Sequence, residues 1–130
     1  MQNIKLGFIG FGNMAQAMVK GLLLKEVLPA DQIYACAKNW EKLERTTGSF
    51  GVHPCHDARE VADQADLVIV DTPPAGILSD AAMLASCVDG GVFVVRQDFA
   101  DVRILTEGIR ELSEAGMEFA GCILNQTEHK

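Results

Sequence analysis

Short apolar runs alternate with stretches at helical spacing along the whole chain, and the alternation predicts six strands separated by five helices. Residues 5–9 are apolar and end at Gly10, and from Asn13 the apolar positions fall at Met14, Met18, Leu22 and Leu23, which is one face of a helix. This reads as strand, glycine turn, helix. Pro29 cannot continue that helix, so it stops near Glu26, and a second strand follows over residues 32–35. Asn39 suits the cap of a short helix over 41–47, which Gly48 and Gly51 should break before a brief strand at Val52 and His53.

Asp57 caps another short helix through Val61, and Leu67-Val68-Ile69-Val70 then forms an unbroken apolar strand. A strand apolar on both faces belongs at the centre of a parallel sheet covered by helices. After Asp71-Thr72-Pro73-Pro74 the pattern gives a helix over 79–86, a strand over 92–95, a long helix over 102–115 and a last strand over 119–124. The expected fold is therefore α/β: a three-layer, Rossmann-like, doubly wound and mostly parallel six-stranded sheet. The expected strand order is 3-2-1-4-5-6, with 3-2-4-1-5-6 as the rival, since right-handed crossovers allow either.

A chain of 130 residues has room for one such domain, 1–130, and no separate substrate domain. The apolar runs are too short to span a bilayer, and residues 1–5 lack the features of a signal peptide, which points to a cytoplasmic protein without membrane contact. The net charge of −7 and the lack of a basic stripe argue against a nucleic-acid partner. Cys36, Cys55, Cys87 and Cys122 are isolated in sequence and read as free thiols, and His53, Cys55 and His56 offer too few spaced ligands for a metal.

Gly10-Phe11-Gly12-Asn13-Met14-Ala15 fits the GxGxxA dinucleotide fingerprint, in its required place between a strand and a helix. The first glycine permits the tight turn, the second admits the pyrophosphate to the backbone, and Ala15 keeps the helix close to the sheet. Amides at the helix start then face the anion. An NAD-type site puts an acid at the end of the second strand, whereas this chain reads Cys36-Ala37-Lys38-Asn39 there. Lys38 suits the 2′-phosphate of NADP, although a solvated loop lysine explains it equally well.

Residues 1–70 resemble the N-terminal half of pyrroline-5-carboxylate reductase. The likeness runs through Gly7-Phe8-Ile9-Gly10-Phe11-Gly12-Asn13-Met14-Ala15, Lys20-Gly21-Leu22-Leu23 and Ala65-Asp66-Leu67-Val68-Ile69-Val70. The resemblance implies NADPH-dependent reduction, with phosphates at Gly10 to Ala15 and the 2′-phosphate near Lys38 and Asn39. It departs at Asp71-Thr72-Pro73-Pro74, where that family has an apolar residue followed by Lys-Pro.

From Asp71 to Thr127 the chain resembles the C-terminal part of bacterial tyrosine kinases of capsule and exopolysaccharide synthesis. The matching residues are Asp71-Thr72-Pro73-Pro74, Ser79-Asp80-Ala81, Val88-Asp89-Gly90, Val94-Val95-Arg96 and Gly121-Cys122-Ile123-Leu124-Asn125. This resemblance implies a magnesium-organising role for Asp71, while an Asp bonding turn amides accounts for it equally well. No GxxxxGK[ST] loop is present, so phosphoryl transfer lacks its main charge partners.

The two resemblances together point to an engineered chimera of a reductase-derived half, 1–70, and a kinase-derived half, 71–130. The expectation is a chain that is not an enzyme, with weak NADP binding at the glycine loop, as a monomer or weak homodimer. The alternatives are a truncated pyrroline-5-carboxylate reductase or a regulatory module of a tyrosine-kinase complex.

Overall fold

A computed structural model of the chain describes residues 3–72, 80–99 and 101–125. They form two compact units, residues 1–71 and 72–130, each built of alternating strands and helices.

The first unit contains strand β1 (Leu6–Ile9), helix α1 (Asn13–Leu24), a 3-10 turn over Ala30–Gln32, β2 (Ile33–Cys36), α2 (Trp40–Phe50), β3 (His53–Cys55), α3 (Ala58–Gln64) and β4 (Leu67–Val70). Its four strands are parallel in the order β3-β2-β1-β4, with Ile9 in register with Cys36 on one side and Val70 on the other. Side chains alternate across a strand, and the sequence uses both faces. Leu6, Phe8, Ile33 and Ala35 pack with Val19 of α1 and Leu43 of α2, while Ile9, Tyr34 and Cys36 pack with Val61 of α3 on the opposite face. Gly7 is what lets α3 lie so near: a Cβ there would collide with Val61 Cγ1 and stand 2.9 Å from the Ala65 Cβ.

The second unit contains α4 (Asp80–Ala85), β5 (Gly91–Arg96), α5 (Val102–Glu114) and β6 (Phe119–Asn125). β5 and β6 pair in parallel, with a register shift between Gly91 and Val92. Phe93 and Phe119 meet at 5.4 Å between ring centroids, and α5 buries Leu112.

The first four strands follow the 3-2-1-4 part of the expected order 3-2-1-4-5-6, which sets aside the rival 3-2-4-1-5-6, but the single six-stranded sheet of either order is corrected. Among the described residues there are a four-stranded and a two-stranded sheet, and β1, not β4, lies between two partners. The continuous apolar run of β4 suggests a central strand, yet among the described residues β4 pairs with β1 alone and Leu67 at its start is 56% exposed. β5 alternates strictly between half-buried and exposed residues, the pattern of a strand covered on one face only. Residues 73–79, which carry Pro73, Pro74 and the expected start of α4 at Ser79, lie outside the described residues. No described helix is long and apolar enough to cross a membrane.

Candidate functional site

The turn between β1 and α1 is built by two glycines and one aromatic anchor. Gly10 has a φ of +91°, a conformation that strains any residue with a Cβ, and its N–H donates to the Cys36 carbonyl at 3.0 Å. Phe11 sends its ring into the core, edge-on to Phe8 at 6.1 Å and to Phe50 at 6.5 Å, so only its backbone belongs to the turn. The Phe11 carbonyl accepts from Gln16 Nε2 at 3.0 Å. Gly12, Asn13 and Met14 are exposed, and Ala15 is fully buried against the sheet. The turn is thus fastened from beneath, with Gly12, Asn13 and Met14 exposed among the described residues.

Gly12 is the N-cap of α1, and no side chain accepts a hydrogen bond from the first amides of this helix. The helix has no acidic residue in its first turn either. The positive end of its dipole and its orphan N–H groups therefore favour an anion at this turn. The contrast with α2 and α3 is local and clear: Asn39 Oδ1 accepts from the Lys42 N–H at 3.1 Å, and Asp57 Oδ1 accepts from the Glu60 N–H at 2.8 Å.

One acidic side chain stands at this turn. Asp71 follows β4, and its N–H donates to the Ile9 carbonyl at 2.9 Å, which brings it directly against the glycines. A Cβ on Gly10 would lie 3.1 Å from the Asp71 carbonyl oxygen and 3.3 Å from its Cβ; one on Gly12 would lie 3.6 Å from Asp71 Oδ2. Partial burial pushes the Asp71 carboxyl above its ordinary range. The sequence singles out Asp71 as the end of an apolar strand, but its closeness to Gly12 follows only from the parallel pairing of β1 with β4, which no local signal announces.

The structure brings Gly10, Phe11, Gly12, Asn13, Met14 and Ala15 together in the turn and first helical residues, as the fingerprint requires. Lys38 and Asn39 lie in the loop after β2, just beyond the Cys36 carbonyl that Gly10 bonds. Lys38 is exposed, whereas the Asn39 side chain is engaged in capping α2. The Cys36 and Cys55 thiols sit side by side in register on β2 and β3. Burial pushes both up, Cys55 to about 11 with Glu60 adding to the effect. Such thiols stay protonated and make poor nucleophiles or metal ligands. Among the described residues no group of three or more His, Cys, Asp or Glu is placed to hold a metal ion.

Residues 5–95 match the family model described as NADP oxidoreductase, coenzyme F420-dependent. The chain belongs to this family. Within the NADP oxidoreductases its similarity extends to the pyrroline-5-carboxylate reductase of Treponema pallidum, 35% identical over 74 residues, which are 57% of this chain and 28% of the relative. A pyrroline-5-carboxylate reductase from Coxiella burnetii shares the fold, with a TM-score of 0.53 at 19% identity over 96% of this chain and 60% of that one. The chain is also similar to the tyrosine-protein kinase CpsD of Streptococcus agalactiae, 36% identical over 61 residues, 47% of this chain and 27% of the relative. The chain therefore spans little more than a quarter of the length of these two curated relatives.

Membership of the NADP oxidoreductases corrects the expectation that this chain is not an enzyme: the family and its reductase relatives are enzymes, and the chain corresponds to a part of them. The expectation failed for a chemical reason. A missing P-loop lysine excludes phosphoryl transfer only, whereas in an oxidoreductase the cofactor carries the reaction and the dinucleotide-binding part supplies grip and orientation.

Proposed function

We propose that residues 5–71 are the dinucleotide-binding part of an NADPH-dependent reductase of the pyrroline-5-carboxylate kind. The observation that carries this reading is the uncapped, exposed N-terminus of α1 beneath the Gly10–Gly12 turn. The amides of Gly12, Asn13, Met14 and Ala15 hold the pyrophosphate, and Ala15 holds the helix against the sheet so that those amides stay aligned. Lys38 supplies a cation for the 2′-phosphate, and the backbone around Asn39 closes that side. When bound, the dinucleotide supplies a hydride; this chain's residues fix where its phosphates lie.

Titration of the protein with NADPH, followed by cofactor fluorescence, tests the reading against a Gly12→Asp variant, which puts a carboxylate into the cradle. Saturable binding by the parent and its loss in the variant are expected. Equal signals from the two proteins would remove the site. Pyrroline-5-carboxylate-dependent loss of NADPH absorbance tests the reductase assignment itself.

A second reading concerns origin. The match to CpsD over 61 residues, beside reductase matches over 74, favours a chain that joins a reductase segment, 1–70, to a kinase-like one, 71–130. Segments with no history of packing together unfold in separate steps, so calorimetry should give two transitions. A single transition whose calorimetric and van't Hoff enthalpies agree would speak against the junction.

A further inference from the structure

We propose that Asp71 makes the dinucleotide site proton-dependent: its carboxyl stands at the mouth of the glycine turn and admits the ligand's phosphates best when neutral, so binding takes up a proton. This rests on the reading of the turn as a phosphate cradle and adds a determinant to it. Asp71 Oδ2 lies 3.6 Å from where a Gly12 Cβ would be, and the Asp71 backbone carbonyl lies 3.1 Å from the corresponding point on Gly10. The orphan amides that draw a phosphate therefore already face an acidic group of the chain itself. A carboxylate in that position repels an incoming pyrophosphate.

Among the described residues the Asp71 carboxyl has no ion pair and no hydrogen-bonding side chain, so it faces the start of α1 alone and an arriving phosphate must compete with it there. The described groups that stand against Asp71 are Ile9, Gly10 and Gly12, and none carries a titratable side chain. Burial is the one cause acting on the Asp71 carboxyl, and it favours the neutral form. Phosphates arriving beside it raise its affinity for a proton further. Ligand affinity is then highest where Asp71 is protonated in the free protein, falls as pH rises through that range, and levels off once Asp71 stays ionised in the complex.

The test is calorimetric titration of the full chain with NADP+ at about pH 5 and about pH 8, in two buffers of different ionisation enthalpy. Asp71→Asn and Asp71→Ser serve as neutral variants, with circular dichroism reporting the fold. The wild type should bind about tenfold or more tightly at the lower pH than at the higher, beyond whatever the ligand's own 2′-phosphate contributes. Asp71→Asn should bind at the higher pH at least as tightly as the acidified wild type. Its proton uptake should fall to the part due to the ligand.

Identical pH profiles for wild type and both variants would overturn the proposal, as would weaker binding by Asp71→Asn. Recovery of wild-type affinity at the higher pH on adding Mg2+ would overturn it too, because a bridging cation would then replace the proton. Absence of binding by all three folded proteins at both pH values would sink the phosphate-cradle reading and this inference with it, whereas pH-independent binding sinks the inference alone.

Discussion

Residues 3–71 and the described residues beyond Thr72 use the same strand-helix alternation, and they bury it differently. β1 and β2 are almost wholly covered, with Phe8, Ile33 and Ala35 fully inaccessible. β6 is exposed at nearly every position, and Val92, Val94, Ile123 and Leu124 of the β5–β6 pair are each about half exposed or more. Both regions carry β-branched, apolar strands, so hydrophobicity along a strand does not by itself say how many faces are covered. In the first unit, small residues sit where helices meet the sheet. Gly7 lets α3 press on β1, and Ala15 lets α1 press on the other face. The close helix-to-sheet approach of the first unit is what fixes the Gly10–Gly12 turn in place.

The strongest way to break this comparison is to cut into both strand pairs alike. Phe8→Ala should cost about 3 to 5 kcal/mol in urea denaturation, whereas Val94→Ala, at a 45% exposed position, should cost less than about 1 kcal/mol. Similar losses at the two sites would remove the distinction. Gly7→Ala comes next: with Val61 and Ala65 in the way, overpacking should cost about 1 to 3 kcal/mol and lower the thermal midpoint. A neutral Gly7→Ala would show that α3 does not press on β1.

Helix caps should sharpen the comparison by showing no difference. Asp57 Oδ1 accepts from the Glu60 N–H and Asp101 Oδ1 from the Arg103 N–H, both at 2.8 Å, one in each unit. Each substitution to Ala should cost about 1 kcal/mol, because a cap acts within its own helix.

The smallest effect expected is alkaline. The folded-state value of Cys55 near 11 stands above the ordinary 9.0, so the unfolded chain ionises first as pH rises. Its contribution to stability is therefore complete below about pH 9 and lost as pH climbs through 11, and Cys55→Ser should flatten that part of the stability profile. An unchanged alkaline slope in the variant would count against the burial assigned to Cys55.

Much of the first unit was legible because its signals are local. The Gly10-to-Ala15 fingerprint sits between an apolar run and a helical one, and Asp57 and Asn39 announce helices that they do cap. Where a local rule met a tertiary one, the sequence reading slipped. Gly48 was expected to end α2, yet the helix continues to Phe50 and stops at Gly51, whose φ of +77° gives the left-handed cap. Leu43 and Thr47, both buried, hold that helix down ahead of the glycine, and Phe50 packs on the same core beyond it. The extent of the sheet was not legible, since an apolar strand such as β4 gives no sign of whether a second neighbour exists. The approach of Asp71 to Gly10 and Gly12 goes with the expected order 3-2-1-4-5-6 and not with its rival, and the sequence left both open because the pairing joins strands distant along the chain.

The central claim is that an open, uncapped helix start in the first unit receives a dinucleotide's phosphates. Amide chemical-shift mapping with NADP+ tests it most directly. The account predicts the largest shifts at Gly10, Gly12, Asn13, Met14 and Ala15, with a second group at Lys38 and Asn39. Saturable shifts confined to other residues, with these amides unmoved, would contradict it.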